Sequence, residues 1–400
     1  MKFAYLSTFH PFRGGIAQFN ARLKRELENQ GHIVSPYTFT TQYPEKLFPG
    51  KTQMVTAEDV ADPINAPRVV SSIGPLSWMS APKVIAEVKP DVLLMKYWMS
   101  FFGPSLGTVA GRLRKRGTKA ITILDNAIPH EARFFDKAFT GYFLKRNDGF
   151  ITMSDKVRQD LLSLRPDARV VLLQHPLYDH FGARMDTAEA RRKLGVPEGA
   201  KVLLFFGFIR DYKGLDLLIE ATSLLPKDHV LVIAGEPYGD MSKYHQAIAR
   251  LGVKDRLVDH IRYIADQEVP AFFSAADAVV LPYKSATQSG ITAIAYHFAT
   301  PIIATDVGGL KEIVHNGRTG VIVPEANATA IAEGIQRFFT LDRSAIAANI
   351  VSRWTKPKGP HSRTSGRGAV SSASDVLSMS TSLATVARAV RSSAWRPRSR

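Results

Sequence analysis

The sequence contains no cysteine and no long apolar run, and each absence removes a class of protein. Without cysteine the chain has no disulfide framework, no thiolate nucleophile and no cysteine-ligated zinc. No apolar run approaches the roughly 20 residues that a membrane-spanning helix needs. The N-terminal apolar run breaks at Pro11 and Arg13, before it could form a signal sequence. We therefore expect a cytoplasmic protein.

Acidic residues are scarce, with 36 against 52 basic residues and a net charge of +16. Residues 351–400 hold ten basic residues and one acidic residue, so this tail carries +9 and the first 350 residues carry +7. A moderately basic body suits a phosphate-bearing small molecule or an anionic lipid surface as well as nucleic acid. The tail is rich in Ser, Arg, Gly and Ala, which predicts a disordered segment, at best marginally helical near its end. It is either a natural basic extension or an out-of-frame C-terminus.

A chain of 400 residues with 45% apolar residues is expected to form two domains. Short apolar runs alternate with helical segments in two series, at Lys2–Ser7, Ile33–Thr38, Val92–Lys96, Lys119–Leu124 and Gly149–Met153, and then at Lys201–Phe206, His229–Ala234, Ala278–Pro282 and Pro301–Thr305. This alternation predicts an α/β protein with two doubly wound, Rossmann-like domains, residues 1–175 and 201–345, joined by a linker at 176–200. Ligands of such folds bind at the carboxyl ends of the strands, here in a cleft between the domains.

Three loops at predicted strand ends suit an anionic ligand. Arg210 and Lys213 follow the run Lys201–Phe206, and a guanidinium fork beside a point cation matches a diphosphate. A predicted helix start can cradle phosphate through free backbone N–H groups, and it comprises Thr287, Gln288, Ser289, Gly290, Ile291 and Thr292. Gly14 and Gly15 form a glycine turn before another helix, but the G-x-G-x-x-G dinucleotide pattern is not present there.

Support for acid–base or metal chemistry is limited to one histidine. His130 lies beside Glu131 in the loop after the run Lys119–Leu124, and so at the cleft. No H-x-x-x-H pair or carboxylate cluster accompanies it, so we predict no metal site. Gly308 and Gly309 line the same rim and can be explained as a tight turn.

The ordered set of motifs is more specific than any one of them. The segments GGI, DNAIPHE, GFIRDYKG, VLVIAGE, ADAVVLPYKSATQSGI and TDVGGLKEIVHNGRTGVIV together resemble glycosyltransferase family 4, retaining enzymes of the GT-B fold. The resemblance covers roughly residues 1–345 and is strongest over 201–325. It implies a hexosyltransferase-like enzyme that transfers a sugar from a nucleotide-diphosphate sugar to a glycan or lipid-linked acceptor, with no metal or other cofactor. It also implies peripheral contact with the inner face of an anionic membrane and no nucleic-acid partner.

The resemblance assigns roles to individual residues. Arg210 and Lys213 match the pair that neutralises the donor diphosphate, residues 289–292 match the helix start that holds the distal phosphate, and Gly14–Gly15 match the loop that closes over it. His130 matches a catalytic histidine near the donor sugar, although Asp125 or Asn126 occupies a competing alignment.

The sequence departs from the family pattern at two places. Many members carry two glutamates separated by seven residues, for the sugar and the ribose, and here Thr287 and Ala295 stand at those positions. Gln288 and Tyr296 are nearby substitutes. Moreover, the family's C-terminal helix, which crosses back onto the first domain, is not among the predicted elements. The alternatives are therefore an epimerase or phosphorylase of the same fold, or a catalytically weak protein that binds sugar nucleotides or, through its tail, nucleic acid.

Overall fold

The computed structural model describes residues 1–44, 52–55, 63–128, 133–173, 181–287, 289–354 and 383–390. Over these residues the chain forms two α/β domains, each built around a wholly parallel sheet. The fold class predicted from the alternating runs is confirmed.

The first domain holds a seven-stranded sheet in the order β3-β2-β1-β4-β5-β6-β7. Its strands are β1 (Lys2–Leu6), β2 (Ile33–Thr41), β3 (Arg68–Ser71), β4 (Val92–Tyr97), β5 (Lys119–Leu124), β6 (Gly149–Thr152) and β7 (Val170–Leu172). Its helices are α1 (Gly15–Asn29), α2 (Pro75–Ala86), α3 (Gly103–Arg114), α4 (Asp136–Leu144) and α5 (Asp155–Leu164). Helices α2 to α5 cover one face of the sheet and α1 covers the other.

The second domain holds a six-stranded sheet in the order β10-β9-β8-β11-β12-β13. Its strands are β8 (Lys201–Phe206), β9 (His229–Ala234), β10 (Leu257–His260), β11 (Ala278–Leu281), β12 (Ile302–Thr305) and β13 (Gly320–Val323). Its helices are α6 (Thr187–Leu194), α7 (Leu215–Leu224), α8 (Ser242–Leu251), α9 (Val269–Ala275), α10 (Gly290–His297), α11 (Leu310–Ile313), α12 (Ala328–Thr340) and α13 (Arg343–Trp354).

Local sequence signals explain several helix ends. The Ser154 hydroxyl accepts a hydrogen bond from the backbone N–H of Val157 at 3.3 Å, which caps α5 as its position before the helix predicts. The Asn327 side chain caps α12 in the same way. Gly31 ends α1 with φ +79°, a conformation that favours glycine.

The predicted linker is largely part of the second domain. Within 176–200, helix α6 places Ala190 and Leu194 in the same apolar core as β8, and the core also includes Val196. At the other end, Ile346 and Ile350 of α13 belong to this core, so the domain extends past the predicted boundary at residue 345. The apolar spacing of both helices explains why they pack on the sheet rather than connect domains.

Part of the tail is helical, and one helix lies near the end of the chain, where the sequence predicts a marginal helix at best. Residues 351–354 complete α13, and Leu383–Val390 form a further helix, α14. Val386, Ala387 and Val390 are buried against α1, on the face of the first sheet opposite α2 to α5. A C-terminal helix therefore does return to the first domain. Residues 355–382 and 391–400 lie outside the described residues.

Candidate nucleotide-sugar site

The carboxyl ends of the two sheets face each other, and polar contacts join the loops at these ends. The Arg13 guanidinium of the first domain contacts the Glu236 carboxylate of the second at 2.6 Å, and both side chains are less than a tenth exposed. The Thr287 hydroxyl, before α10, donates a hydrogen bond to the side-chain oxygen of Asn126, after β5. The cleft therefore has walls from both domains, as the predicted topology requires.

Arg210 and Lys213 lie in the loop that follows β8. The Arg210 guanidinium stacks on the ring of Tyr238, 4.0 Å from its centroid. Burial raises the pKa of Tyr43, a residue of the first domain, and the nearby Arg210 charge opposes that rise. Arg210 therefore lies near Tyr43 of the first domain as well as against Tyr238 of the second.

Lys213 is a buried cation, with 8% of its surface exposed. Its ammonium lies beside Gly207 and Ile291, since a Cβ at Gly207 would come within 3.2 Å of Lys213 Nζ and 3.4 Å of Ile291 Cδ1. Burial, and secondarily the positive charge of Arg210, lower the pKa of Lys213 to about 8. Among the described residues no carboxylate pairs with Lys213. A buried cation without a counter-ion is costly, which prepares this position for an anionic ligand.

The first turn of α10 lies at the same place. Its N-cap residue is Ser289, whose side chain does not cap the helix but contacts the Tyr283 hydroxyl at 3.1 Å. The Thr292 hydroxyl turns back to the Ser289 carbonyl at 2.6 Å. No described side chain caps this turn, so the backbone N–H groups of Gly290 and Ile291 remain able to bind an anion. Lys213 is close by, because its ammonium and the Ile291 side chain both lie beside Gly207.

The Gly14–Gly15 turn belongs to the first domain's wall of the cleft. Gly14 has φ +103° and immediately precedes α1, and a Cβ there would meet nothing within 4 Å. Its neighbour Arg13 lies over the ring of Tyr263 at 4.4 Å from the centroid while it contacts Glu236. The loop that contains Gly14 and Gly15 is thus anchored to the second domain. The space next to the Gly14 Cα is not filled by any described residue.

Comparison with protein families matches both halves of the chain. The profile described as "Glycosyltransferase Family 4" matches residues 13–177, and the one described as "Glycosyl transferases group 1" matches residues 186–351. Together they cover most of both domains, and residues 178–185 lie between the two matches.

The chain belongs to glycosyltransferase family 4. A D-inositol 3-phosphate glycosyltransferase of Corynebacterium aurimucosum is 32% identical to it over 169 residues, 40% of each chain. One of Mycolicibacterium gilvum is 32% identical over 195 residues, 46% of this chain and 44% of the other. The matched segment thus spans less than half the length of these relatives.

Solved structures give the same fold over most of the chain. Anabaena HepE in complex with UDP-glucose superposes with a TM-score of 0.69 at 17% identity and covers 88% of this chain and 94% of HepE. Sucrose-phosphate synthase from Thermosynechococcus elongatus superposes with a TM-score of 0.67 at 18% identity and the same coverage. At these identities the likeness establishes the GT-B fold.

The two positions where this family 4 glycosyltransferase lacks glutamate have different surroundings. Thr287 is buried and bonded across the cleft to Asn126. Ala295 is fully buried in the core of the second domain. Tyr296, expected as a substitute, is wrong for that role, because its hydroxyl is buried against Thr319 at 2.7 Å. Gln288, the other substitute, lies outside the described residues.

The first-domain candidates also separate. His130 lies outside the described residues. Asp125 is held in an ion pair with the buried ammonium of Lys96 at 2.7 Å. Asn126 instead reaches the second domain through Thr287 and donates its amide N–H to the Trp98 carbonyl at 3.2 Å. Of the two competing residues, Asn126 is the one that contacts the opposite wall.

Sequence reasoning missed several residues that shape this glycosyltransferase cleft. Arg13 directly precedes the motif GGI, and Glu236 ends the motif VLVIAGE. Because the two residues are 223 positions apart, no local sequence pattern predicts that they pair. Glu312 accepts a hydrogen bond from the backbone N–H of Asp155 at 2.7 Å, at the start of α5. Burial raises the pKa of Glu312 despite this bond. The contact joins α11, which follows β12, to the start of α5 in the first domain.

Gly308 has a stronger constraint than a tight turn. It has φ +55°, and a Cβ there would lie 1.6 Å from the carbonyl oxygen of Ala286. Only glycine lets the loop after β12 pass this close to the loop that leads into α10.

Two kinds of feature are absent from the described residues. No group of three or more His, Asp or Glu side chains within them is arranged to hold a metal ion. Among the same residues, no helix combines the length and apolar character needed to cross a membrane.

Proposed function

We propose that this chain is a retaining glycosyltransferase that transfers a sugar from a nucleotide-diphosphate sugar to a glycan or lipid-linked acceptor. The proposal rests on Lys213, a buried cation with no carboxylate partner in the described part of the chain, which lies beside Arg210 and the first turn of α10. A diphosphate would supply two negative charges to the two cations and to the N–H groups of α10.

The chemistry follows from where charge develops. Transfer breaks the bond between the anomeric carbon and the diphosphate oxygen, and the bonding electrons stay on the leaving diphosphate. Lys213, Arg210 and the N–H groups of α10 are fixed before the reaction, so they stabilise that growing charge without reorganising. The acceptor hydroxyl oxygen then bonds to the anomeric carbon, and its proton passes to the departing diphosphate oxygen. Retention of configuration is part of the proposal and is supported by the family resemblance.

The comparisons support the substrate class. HepE was solved with UDP and with UDP-glucose, which supports a nucleotide-diphosphate sugar as donor for this chain. The relatives named D-inositol 3-phosphate glycosyltransferases support a polar hydroxylated acceptor. The proposal includes no metal or organic cofactor, no nucleic-acid partner, and a cytoplasmic location that extends to the inner membrane face.

The test is turnover with a panel of UDP, GDP, ADP and dTDP sugars, in the presence of a metal chelator, measured as nucleotide release. We expect one donor class to be used, with the product's anomeric configuration by NMR matching that of the donor. Arg210→Ala should lower kcat by about 100-fold or more. Arg192→Ala, which removes an exposed cation of α6 far from the cleft, should leave kcat unchanged.

Other outcomes identify the alternatives. Full activity in Arg210→Ala would show that the diphosphate binds elsewhere. Conversion of the donor sugar without an acceptor would indicate an epimerase, and a requirement for inorganic phosphate would indicate a phosphorylase. Inversion at the anomeric carbon would reject the retaining mechanism alone.

A further inference from the structure

The N-cap serine of α10 does not cap its helix. A serine at this position ordinarily accepts a hydrogen bond from a backbone N–H of the first turn, as Ser154 does at the start of α5. The backbone of Ser289 is extended, with φ −137° and ψ 120°, which is the conformation of a capping residue. Its hydroxyl nevertheless contacts the Tyr283 hydroxyl at 3.1 Å, and both side chains are buried. The N–H groups of Gly290 and Ile291 are the first two of the helix, so they have no acceptor within it.

Tyr283 is held in place by β12 on one side and by the loop after β8 on the other. The Thr305 hydroxyl, at the end of β12, donates a hydrogen bond to the Tyr283 carbonyl oxygen at 2.6 Å. The Tyr283 ring meets the Tyr212 ring edge-on, with 6.0 Å between the centroids. The next residue, Lys284, donates its backbone N–H to the Tyr212 carbonyl at 2.7 Å. Burial raises the pKa of Tyr283 above its ordinary value of 10, so its hydroxyl stays protonated.

The same tyrosine lies beside the buried cation of the site. The Lys213 ammonium is 5.9 Å from the centroid of the Tyr283 ring. Tyr283 therefore contacts both groups that can hold an anion here, the lysine of the loop after β8 and the serine that begins α10. Lys213 has no carboxylate partner within the residues that the structure describes, which is a second and independent indication of an anion at this turn.

We propose that Tyr283 is a positioning residue for the donor diphosphate. Its hydroxyl holds the Ser289 hydroxyl away from the first turn of α10 and leaves the N–H groups of that turn to the phosphate. The inference rests on the proposed function, which places a diphosphate at this turn, and it names the residue that keeps the turn accessible.

Loss of the Tyr283 hydroxyl would reverse this arrangement. The Ser289 hydroxyl would lose its partner, and rotation about the Cα–Cβ bond of an N-cap serine brings its hydroxyl to the N–H groups of its own first turn. The N–H of Ile291 is one of these groups. An incoming phosphate would then compete with the Ser289 hydroxyl for the same donors. Diphosphate affinity therefore depends on Tyr283 through Ser289.

The experiment is calorimetric titration of the full chain with inorganic pyrophosphate at pH 7, which tests the diphosphate contacts without the base or the sugar. Tyr283→Phe removes only the hydroxyl. It should weaken pyrophosphate binding about fivefold, because the anion must displace a serine cap and such caps contribute about that factor. Adding Ser289→Ala to Tyr283→Phe should recover this loss, since the competing hydroxyl is then absent.

Tyr97→Phe is the matched control, because it removes a buried tyrosine hydroxyl that contacts the Thr140 hydroxyl at 3.0 Å in the first domain. It should bind pyrophosphate as the wild type does. Wild-type affinity in Tyr283→Phe would overturn the inference. So would a double variant that binds no better than Tyr283→Phe, because the loss would then not pass through Ser289. Recovery in the double variant excludes a packing defect as the cause, since the change at Tyr283 is the same.

Binding of UDP, GDP, ADP and dTDP sugars is measured by thermal shift on the same preparations. If the wild type binds a nucleotide sugar and Tyr283→Phe binds pyrophosphate as the wild type does, the positioning role is rejected and the proposed function stands. If the wild type binds neither pyrophosphate nor any nucleotide sugar, the proposed function is rejected together with this inference.

Discussion

At the scale of single residues, the protonation state of Lys213 determines how strongly the site binds an anionic donor. Its ammonium is buried, close to Arg210, and has no carboxylate partner in the described part of the chain. Burial lowers the pKa of Lys213 from 10.5 to about 8, so without a bound anion this side chain is mostly protonated only below about pH 8. A bound diphosphate would restore the pKa, which makes donor binding and protonation of Lys213 interdependent.

We predict that donor affinity falls above about pH 8. The unfolded chain binds a proton at this lysine up to its ordinary pKa of 10.5, and the unliganded folded site does so only to about 8. The stability of the unliganded protein therefore rises between these pH values, while the affinity for an anion decreases. Calorimetric titration of the nucleotide sugar selected by the turnover screen should show about tenfold weaker binding at pH 9 than at pH 7.

Lys213→Arg is the control for this pH dependence, because a guanidinium stays charged at both pH values. Its affinity should change little between pH 7 and pH 9. If Lys213→Ala keeps the wild-type pH dependence, the titrating group is another residue.

Which site residues could be predicted depended on how local their signals are. Arg210, Lys213 and the start of α10 were predicted because each follows a buried run, and the carboxyl ends of parallel strands meet at one edge. The pairing of Arg13 with Glu236 could not be predicted, since only the folded chain brings those two loops together. Tyr296 was a wrong substitute because its place on the helix is a core position, which motif alignment alone does not reveal.

At the scale of elements, α14 is the described helix of the tail that packs on the first domain. Its Val386 and Val390 are almost completely buried against α1, and the Gln30 amide at the end of α1 donates to the Ala384 carbonyl at 3.3 Å. Helix α1 begins directly after the Gly14–Gly15 turn. The C-terminal helix therefore supports the element that positions the first domain's side of the cleft.

We predict that Val386→Asp loosens α1. A carboxylate placed in this apolar contact loses its hydration, which should cost more than about 2 kcal/mol of stability in the docked helix. Hydrogen–deuterium exchange of the α1 amides should become faster. Arg388→Asp places the same group at an exposed position of α14 and should leave exchange unchanged. Equal exchange in wild type and Val386→Asp would mean that α14 does not stabilise α1.

The elements themselves were predictable where the apolar pattern is strong. The long buried strands β4, β5, β8 and β9 are continuous apolar runs, and their prediction is confirmed. The short strands β3, β7, β10 and β13 were missed because three or four residues at a sheet edge give little pattern. Helix α2 was also missed, and it contains Pro82, a residue that normally ends a helix.

At the scale of the whole molecule, the two domains contact through their functional loops. Arg13 reaches Glu236, Asn126 reaches Thr287, and the backbone before α5 reaches Glu312. The sequence predicted two parallel-sheet domains with a cleft, but which loops touch depends on long-range packing that periodicity does not encode. Lys213 and Arg210 thus place positive charge in the cleft, and a bound diphosphate would neutralise it.

The most direct measurement is a calorimetric titration of the full chain with the selected nucleotide sugar at pH 7, comparing two double variants. Arg210→Ala with Lys213→Ala should abolish detectable binding, because it removes both cations that face the diphosphate. Arg192→Ala with Lys193→Ala removes the same charge from the surface and should bind as the wild type does. Wild-type affinity in the first variant would contradict a diphosphate site at Arg210, Lys213 and the start of α10.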